Sequence, residues 1–318
     1  MEQRQFGTLG PVSALTLGGG GTGQVWGATT REEAVATVRA AVDGGIDFLD
    51  VAPGYGNGEA ERVVGEAFDG RLPPGVRIST KHHLGQPPPA EAAAALQESL
   101  SASLERLRLD RVDLFFLHGM ILPDESGGEA RGTPRGLFIE AVRPAFEAMV
   151  ADGRIGAWGV SGIGVPSALL ETLAEDPPPA AIQCVANLLD SPGAMRTFDE
   201  PAQPRALIAA AEARGVGVMG IRAVQAGALT DAIDRELADD HPEVVDFKRA
   251  APFRALAQEV GESPASLAHR YALTMAGIST LVLGVKNRIE LAECLAAEAK
   301  GPLAPELMAR IDGAVAGR

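Results

Sequence analysis

GGIDFLDVAPGYGNGEAERVVG, running from Gly44 to Gly65, is the stretch on which the fold turns. It opens with an apolar run, Ile46 to Val51, interrupted by Asp47 and Asp50. It then bends through Pro53, Gly54, Gly56 and Gly58. It closes on a helical pattern in which Val63 and Val64 sit between charged neighbours. The order is strand, loop, helix. Asp50 falls at the carboxyl end of the strand and Tyr55 in the loop just beyond it. The chain holds only two tyrosines, and this one stands among glycines. Taken alone, Asp50 also reads as a turn or capping residue and Tyr55 as a loop aromatic, because many such units carry no chemistry.

Working outward, strand and helix alternate along the chain. Val12–Leu17 reads as a first strand ending in the glycine run Gly18–Gly21. Thr29 or Thr30 caps a helix that runs to about Asp43, with Glu33 at capping-box spacing. After the central unit come a third strand, Val76–Thr80, a Pro87–Pro89 break and a helix Glu91–Leu107. Val112–Leu117 is a buried fourth strand, followed by a loop from about Met120 to Arg135. Ala145–Val150 belongs to the next helix. Strands five to eight are Ile155–Val160, Ile182–Ala186, Val216–Ile221 and Thr280–Val285. Helices are expected at Val165–Ala174, Arg205–Ala213, Pro264–Met275 and Ile289–Ala297. Ala223–Phe253 is too long for a simple connection and reads as an insertion. Pro305–Val315 is a last amphipathic piece.

Eight strands, each followed by a helix, are the pattern of a closed parallel α/β barrel. The 318 residues accommodate one such barrel as a single domain, 1–318, since the fold needs about 250 residues plus insertions. A doubly wound dinucleotide-binding sheet would place GxGxxG between an early strand and a helix. Glycines 18–21 and 23 lead instead into Gln24, Val25 and Trp26, so they read as a loop at the barrel mouth.

Composition narrows the function classes. A formal charge of −14 argues against a nucleic-acid or anionic-membrane surface. No 18-residue apolar run is present, and the N-terminus lacks the basic and apolar regions of a signal peptide. Cys184 and Cys294 lie far apart without a CxxC partner, as expected of buried thiols in a reducing, cytoplasmic setting. No exposed apolar stripe encodes an oligomeric state.

In such a barrel the carboxyl ends of the strands share one face. That rim collects Asp50, Tyr55, Lys81, His118, Ser161 and Asn187, with Gln183 inside strand six. A free phenol titrates near pH 10, too high for easy proton donation at neutral pH. A neighbouring ammonium favours phenolate, a carboxylate keeps that ammonium charged and aimed, and an imidazole can hydrogen-bond a substrate oxygen. Lys81 is one of only four lysines in an Arg-rich chain. Singly, Lys81 also reads as a surface lysine and His118 as a structural histidine. The expectation rests on all four sharing one rim, and His82 and His83 are taken as loop residues.

With these residues in view, the sequence resembles the aldo-keto reductase superfamily. The resemblance is carried by GIDFLDVAPGYGNGEAERVVGEA at 45–67, STK at 79–81, VDLFFLH at 112–118, DGRIGAWGVSG at 152–162, and TLVLGV at 280–285 with the helix after it. It implies a (β/α)8 TIM barrel closed at its base by an N-terminal β-hairpin, about Arg4 to Val12, with a C-terminal helix. It implies a nicotinamide cofactor and hydride transfer between that cofactor and a carbonyl or alcohol. Tyr55 would be the general acid, Lys81 its partner, Asp50 the partner of the lysine, and His118 the carbonyl-orienting group. Ser161 and Gln183 would hold the nicotinamide carboxamide. Gly284, Lys286, Glu290 and Glu293 fall in the segment that holds the adenosine end.

Several positions depart from the family pattern. Gly162 stands where asparagine is usual. Strand seven ends in Gly220, Ile221 and Arg222, with no aromatic to stack on the nicotinamide. Ile221 would cover the ring, and Arg222 would reach toward pyrophosphate or substrate. Cys294 occupies the position of the adenine-contacting asparagine. Glu290 stands where arginine or glutamine often meets a 2′-phosphate, while Lys286 and Arg288 pull the other way. The family's habit puts NADP(H) ahead of NAD(H), and no metal is expected. Trp26 is a candidate wall of the substrate pocket. The implied substrates are aldehydes, ketones or aldose sugars. The alternatives are a cofactor-binding redox sensor with little turnover, a Schiff-base aldolase using Lys81, and a metal-dependent hydrolase, which would need a His-x-His that the first strand lacks.

Overall fold

The computed structural model describes residues 1–126 and 131–315. Eight parallel strands close a barrel in chain order: β1 Leu15–Gly18, β2 Phe48–Asp50, β3 Arg77–His82, β4 Val112–Leu117, β5 Ile155–Ser161, β6 Ala181–Val185, β7 Gly217–Ile221 and β8 Thr280–Leu283. β8 closes on β1, with Leu283 beside Leu17. The interior is filled by a small layer of Phe48, Leu114, Phe116, Ala181 and Met219, with Val12 and Phe6 plugging the base. Phe6 comes from the hairpin of Gln3–Gln5 and Pro11–Ser13 and meets Phe48 edge to face at 5.9 Å. A larger apolar layer lies between the outward faces of the strands and the surrounding helices. Filling both faces is what makes these strands read as near-continuous apolar runs.

The expected elements appear, with instructive shifts. The first strand, expected over Val12–Leu17, is two strands. Pro11–Ser13 pairs antiparallel in the hairpin, and at Ala14 the chain changes partners to enter the barrel. Gly18–Gly21, expected as loop, contributes to one helical turn, Gly19–Thr22. The helix expected at Ala145–Val150 begins earlier: one continuous helical run covers Arg135 to Ala151, with a wider π turn over Phe138–Val142. The Met120–Arg135 loop carries two short paired strands, Ile121–Leu122 and Thr133–Pro134; its residues 127–130 lie outside the described residues. The insertion after β7 contains a helix, Pro242–Arg249, and runs into another, Ala251–Glu259. Thr30, not Thr29, caps the first long helix by accepting from the Glu33 N–H. Pro305–Val315 is helical and buries Ile311 and Val315. Among the described residues no helix is long and apolar enough to cross a membrane.

Candidate active site

β2 and β3 are adjacent, with Asp50 in register with Ser79. Side chains alternate along a strand, so Ser79 and Lys81 face Asp50 inside while Thr80 faces the helix layer. Lys81 Nζ donates to Asp50 Oδ2 at 2.8 Å, to the Val51 carbonyl at 3.0 Å and to the Tyr55 hydroxyl oxygen at 3.3 Å. All three ammonium protons thus have acceptors. Ser79 Oγ donates to the other carboxylate oxygen of Asp50 at 2.5 Å. Lys81 is fully buried and Asp50 is 2 % exposed. Burial works against the lysine charge, yet Asp50 and the Tyr55 oxygen together outweigh it and the Lys81 pKa is raised. Because the ammonium donates to the phenol oxygen, the phenol keeps its own proton for a further acceptor.

His118 stands immediately after β4, its N–H held by the His82 carbonyl at 2.7 Å. Its ring meets the Tyr55 ring edge to face, centroids 5.7 Å apart. Burial, then the Lys81 charge and the neighbouring imidazoles of His83 and His82, push its pKa down to about 3. The ring is therefore neutral throughout the working range and offers one donor and one acceptor. The unfolded chain takes up a proton on this residue near pH 6.5, whereas the folded chain does not until about pH 3. Protonation therefore favours the unfolded chain: the residue costs no stability above pH 6.5, and stability is lost as pH falls from there toward 3. The urea midpoint is expected to drop between pH 7 and pH 5, and His118→Gln to flatten that slope; an equal slope in the variant would contradict the depressed pKa.

Ser161 and Gln183 lie side by side in register on β5 and β6. Both are nearly buried. Ser161 Oγ donates to the Leu117 carbonyl at 3.2 Å. The Gln183 amide nitrogen has a sulfur acceptor, Met219 Sδ, at 3.8 Å, a weak bond that leaves hydrogen-bonding capacity to a ligand carboxamide. Gly162 explains its own departure. A Cβ there would lie 2.7 Å from the Gln183 carbonyl oxygen and 2.9 Å from Cys184 Sγ, so no asparagine fits this backbone. Burial raises the Cys184 thiol to about 12, and the thiol is inert filling.

Trp26 sits over Gly284: its indole nitrogen is 3.2 Å from where a Cβ on that glycine would be. Gly21 packs so close to the segment after β8 that a Cβ would fall 1.9 Å from the Val285 oxygen. These glycines bring the exits of β1 and β8 together. Ile221 ends β7. Arg222 follows at φ +61°, with its guanidinium directed to Gln225 Oε1 at 2.7 Å and to Glu243 Oε1 at 2.8 Å. The structure therefore uses Arg222 as a strut to the insertion helix.

After β8, Asn287 caps helix Arg288–Ala299 by accepting from the Ile289 and Glu290 N–H groups at 3.0 and 2.9 Å. Glu290 Oε2 accepts the Lys286 N–H at 2.8 Å, and Glu33 Oε1 accepts the Arg288 N–H at 3.0 Å. The Arg288 guanidinium also grips Glu33 through both carboxylate oxygens, at 3.1 and 2.9 Å. These bonds hold the Glu33 carboxyl down to about 2. Lys286 Nζ pairs with Glu290 at 3.0 Å and with Asp234 at 3.3 Å. Glu293 lies one turn further along the same helix. Sequence reasoning missed Glu33 and Asp234 as partners here, and Ser79 as the second partner of Asp50. The spacing Asn287-x-x-Glu290 is a capping-box pattern and was available as a signal. The approach of Asp234 from the insertion had none.

The profile of the aldo/keto reductase family matches residues 14–316. The L-galactose dehydrogenase of Arabidopsis thaliana is 26% identical over 300 residues, 93% of this chain and 88% of that protein. The D-threo-aldose 1-dehydrogenase of a Pseudomonas species is 26% identical over 245 residues, covering 70% and 68%. A solved glycerol dehydrogenase from Gluconobacter oxydans superposes with a TM-score of 0.74 at 23% identity, covering 99% of this chain and 95% of that one, and shows the shared fold.

Proposed function

The chain belongs to the aldo/keto reductase family and is an oxidoreductase, and from that premise we propose that residues 1–318 form one catalytic barrel in which Tyr55 exchanges a proton with the oxygen of a small carbonyl or alcohol substrate. A nicotinamide cofactor, when bound, supplies hydride to the substrate carbon or accepts it. Tyr55 donates its proton to the carbonyl oxygen in reduction and recovers it from the hydroxyl in oxidation. Lys81 stabilises the phenolate left behind, and Asp50 with Ser79 holds Lys81 charged and aimed. Neutral His118 orients the substrate oxygen. Ser161 and Gln183 would hold the carboxamide, with Ile221 beside the ring. Gly284, Lys286, Arg288, Glu290 and Glu293 would line the adenosine end. The observation that carries this reading is the buried Asp50–Lys81 pair with its ammonium 3.3 Å from the Tyr55 oxygen. The L-galactose dehydrogenase and the D-threo-aldose 1-dehydrogenase named above act, by their names, on sugars, and an aldose is the substrate class we favour.

The adenosine end supports NAD(H) over the NADP(H) suggested by family habit. A phosphate at a helix N-terminus needs free N–H groups. Here four N–H groups, those of Lys286, Arg288, Ile289 and Glu290, already have side-chain acceptors, two of them carboxylates. Three carboxylates, Glu33, Asp234 and Glu290, surround the two cations Lys286 and Arg288. A 2′-phosphate would add like charge, whereas a ribose 2′-hydroxyl can donate to a carboxylate. The test is titration of purified protein with each cofactor, then turnover with a panel of aldoses, aldehydes and ketones. NAD(H) is expected to bind at least about tenfold tighter, a difference of about 1.4 kcal/mol. Glu290→Gln should narrow the gap. Tighter NADP(H) binding would reverse the cofactor assignment, and binding without turnover across the panel would count against the enzymatic reading.

A further inference from the structure

Glu61 is a fully buried carboxylate that none of the steps above uses. It lies in the first turn of helix Glu59–Phe68, directly after the Tyr55 loop. Its Oε1 accepts from Thr80 Oγ1 at 2.6 Å and its Oε2 from Arg106 Nε at 2.6 Å. Thr80, also fully buried, immediately precedes Lys81 on β3. On the other side, the Ala60 N–H donates to the Tyr55 carbonyl at 3.2 Å, so this helical turn is bonded back to Tyr55 itself. Arg106 packs over Gly58, where φ is +81° and a Cβ would lie 2.5 Å from Arg106 Cδ. The loop bearing the phenol, the strand bearing the ammonium and the helix after that strand thus meet at one carboxylate.

We propose that Glu61 is a positioning residue, whose bond to Thr80 sets the distance between the Tyr55 phenol and the Lys81 ammonium. That distance is 3.3 Å, already beyond the usual hydrogen-bond range, so a few tenths of an ångström decide whether the contact persists. β3 already meets the start of that loop, where the Val51 N–H donates to the Ser79 carbonyl at 3.0 Å and Lys81 Nζ donates to the Val51 carbonyl; the Thr80 bond ties the same strand to the far end of the loop, beyond Tyr55. The inference rests on Tyr55 being the proton donor.

The test compares Thr80→Val, which removes the hydroxyl at similar shape, with Thr80→Ser, which keeps it. Tyr55→Phe runs alongside. The valine variant is expected to bind cofactor with wild-type affinity, read by fluorescence titration. It should lose about 10- to 100-fold in kcat, the scale of a small misplacement of reacting groups, with KM little changed. The ionisation seen in its kcat–pH profile should move. The serine variant should stay within about threefold of wild type. If Tyr55→Phe is inactive but Thr80→Val keeps wild-type kcat and pH profile, the Glu61 link is structural only and the proposal is overturned, with the role of Tyr55 intact. If Tyr55→Phe turns over at the wild-type rate, both fall. Should Thr80→Val not fold, Thr80→Ala removes the same hydroxyl with less bulk and is expected to lose about 10- to 100-fold in kcat; a wild-type value there overturns the proposal as well.

Discussion

Tyr55→Phe is expected to bind cofactor as wild type does and to lose about 10²- to 10⁴-fold in kcat, the range that a positioned acid or base supplies. The substitution removes one oxygen from a half-buried ring. It leaves the edge-to-face contact with His118 and the position of the Lys81 ammonium 4.7 Å from the ring centre. Lys81 keeps two of its three acceptors, Asp50 and the Val51 carbonyl. The fold should therefore be preserved, and the loss should appear in kcat and kcat/KM alike, as when an interaction confined to the transition state is removed. Stopped-flow measurement of cofactor oxidation with the best substrate, beside a binding titration of the same sample, checks this. A variant that turns over normally would remove Tyr55 from the mechanism.

Asp50→Asn is expected to affect stability as strongly as activity. The wild-type pair is almost entirely shielded from water, at 0 % and 2 % exposure for the two side chains. Removing one partner of such a pair leaves a buried charge without compensation, at a cost of about 3–5 kcal/mol. The alternative for the protein is to neutralise Lys81, which withdraws the charge that supports a phenolate. Either outcome lowers kcat. Urea unfolding at pH 7 reads the first, and the pH dependence of the residual activity reads the second. The double variant Asp50→Asn with Lys81→Met should recover part of the stability, since no charge is then stranded, and should recover no activity. An Asp50→Asn protein with wild-type stability and rate would mean that the pair is incidental.

Much of this was legible in the chain. The alternation of apolar runs with amphipathic stretches marked eight strands, because a parallel strand buried on both faces leaves an unbroken apolar signature. Strand ends then marked the rim, and Asp50, Tyr55, Lys81 and His118 lie together there. The failures have physical causes. Val12–Leu17 reads as one continuous strand-like run, and nothing in such a run records that the chain exchanges a hairpin partner for a barrel partner at Ala14. Helix Pro242–Arg249 was hidden because its buried residues are Glu243 and Asp246, which bond to polar groups from other segments and so show no apolar period.

The sequence by itself determined the barrel and the membership of the rim, since both follow from local periodicity and from which residue types close each strand. Only the tertiary structure decided what each charge does. Arg222, open to a ligand as read from the chain, is held by Glu243. Arg288 is held by Glu33 and Lys286 by Asp234, across separations of 255 and 52 residues. Glu61 is joined to Thr80 and Arg106 across the layer of helices. The energy of a charge depends on its nearest partners and on its access to water, and neither is a property of its neighbours along the chain.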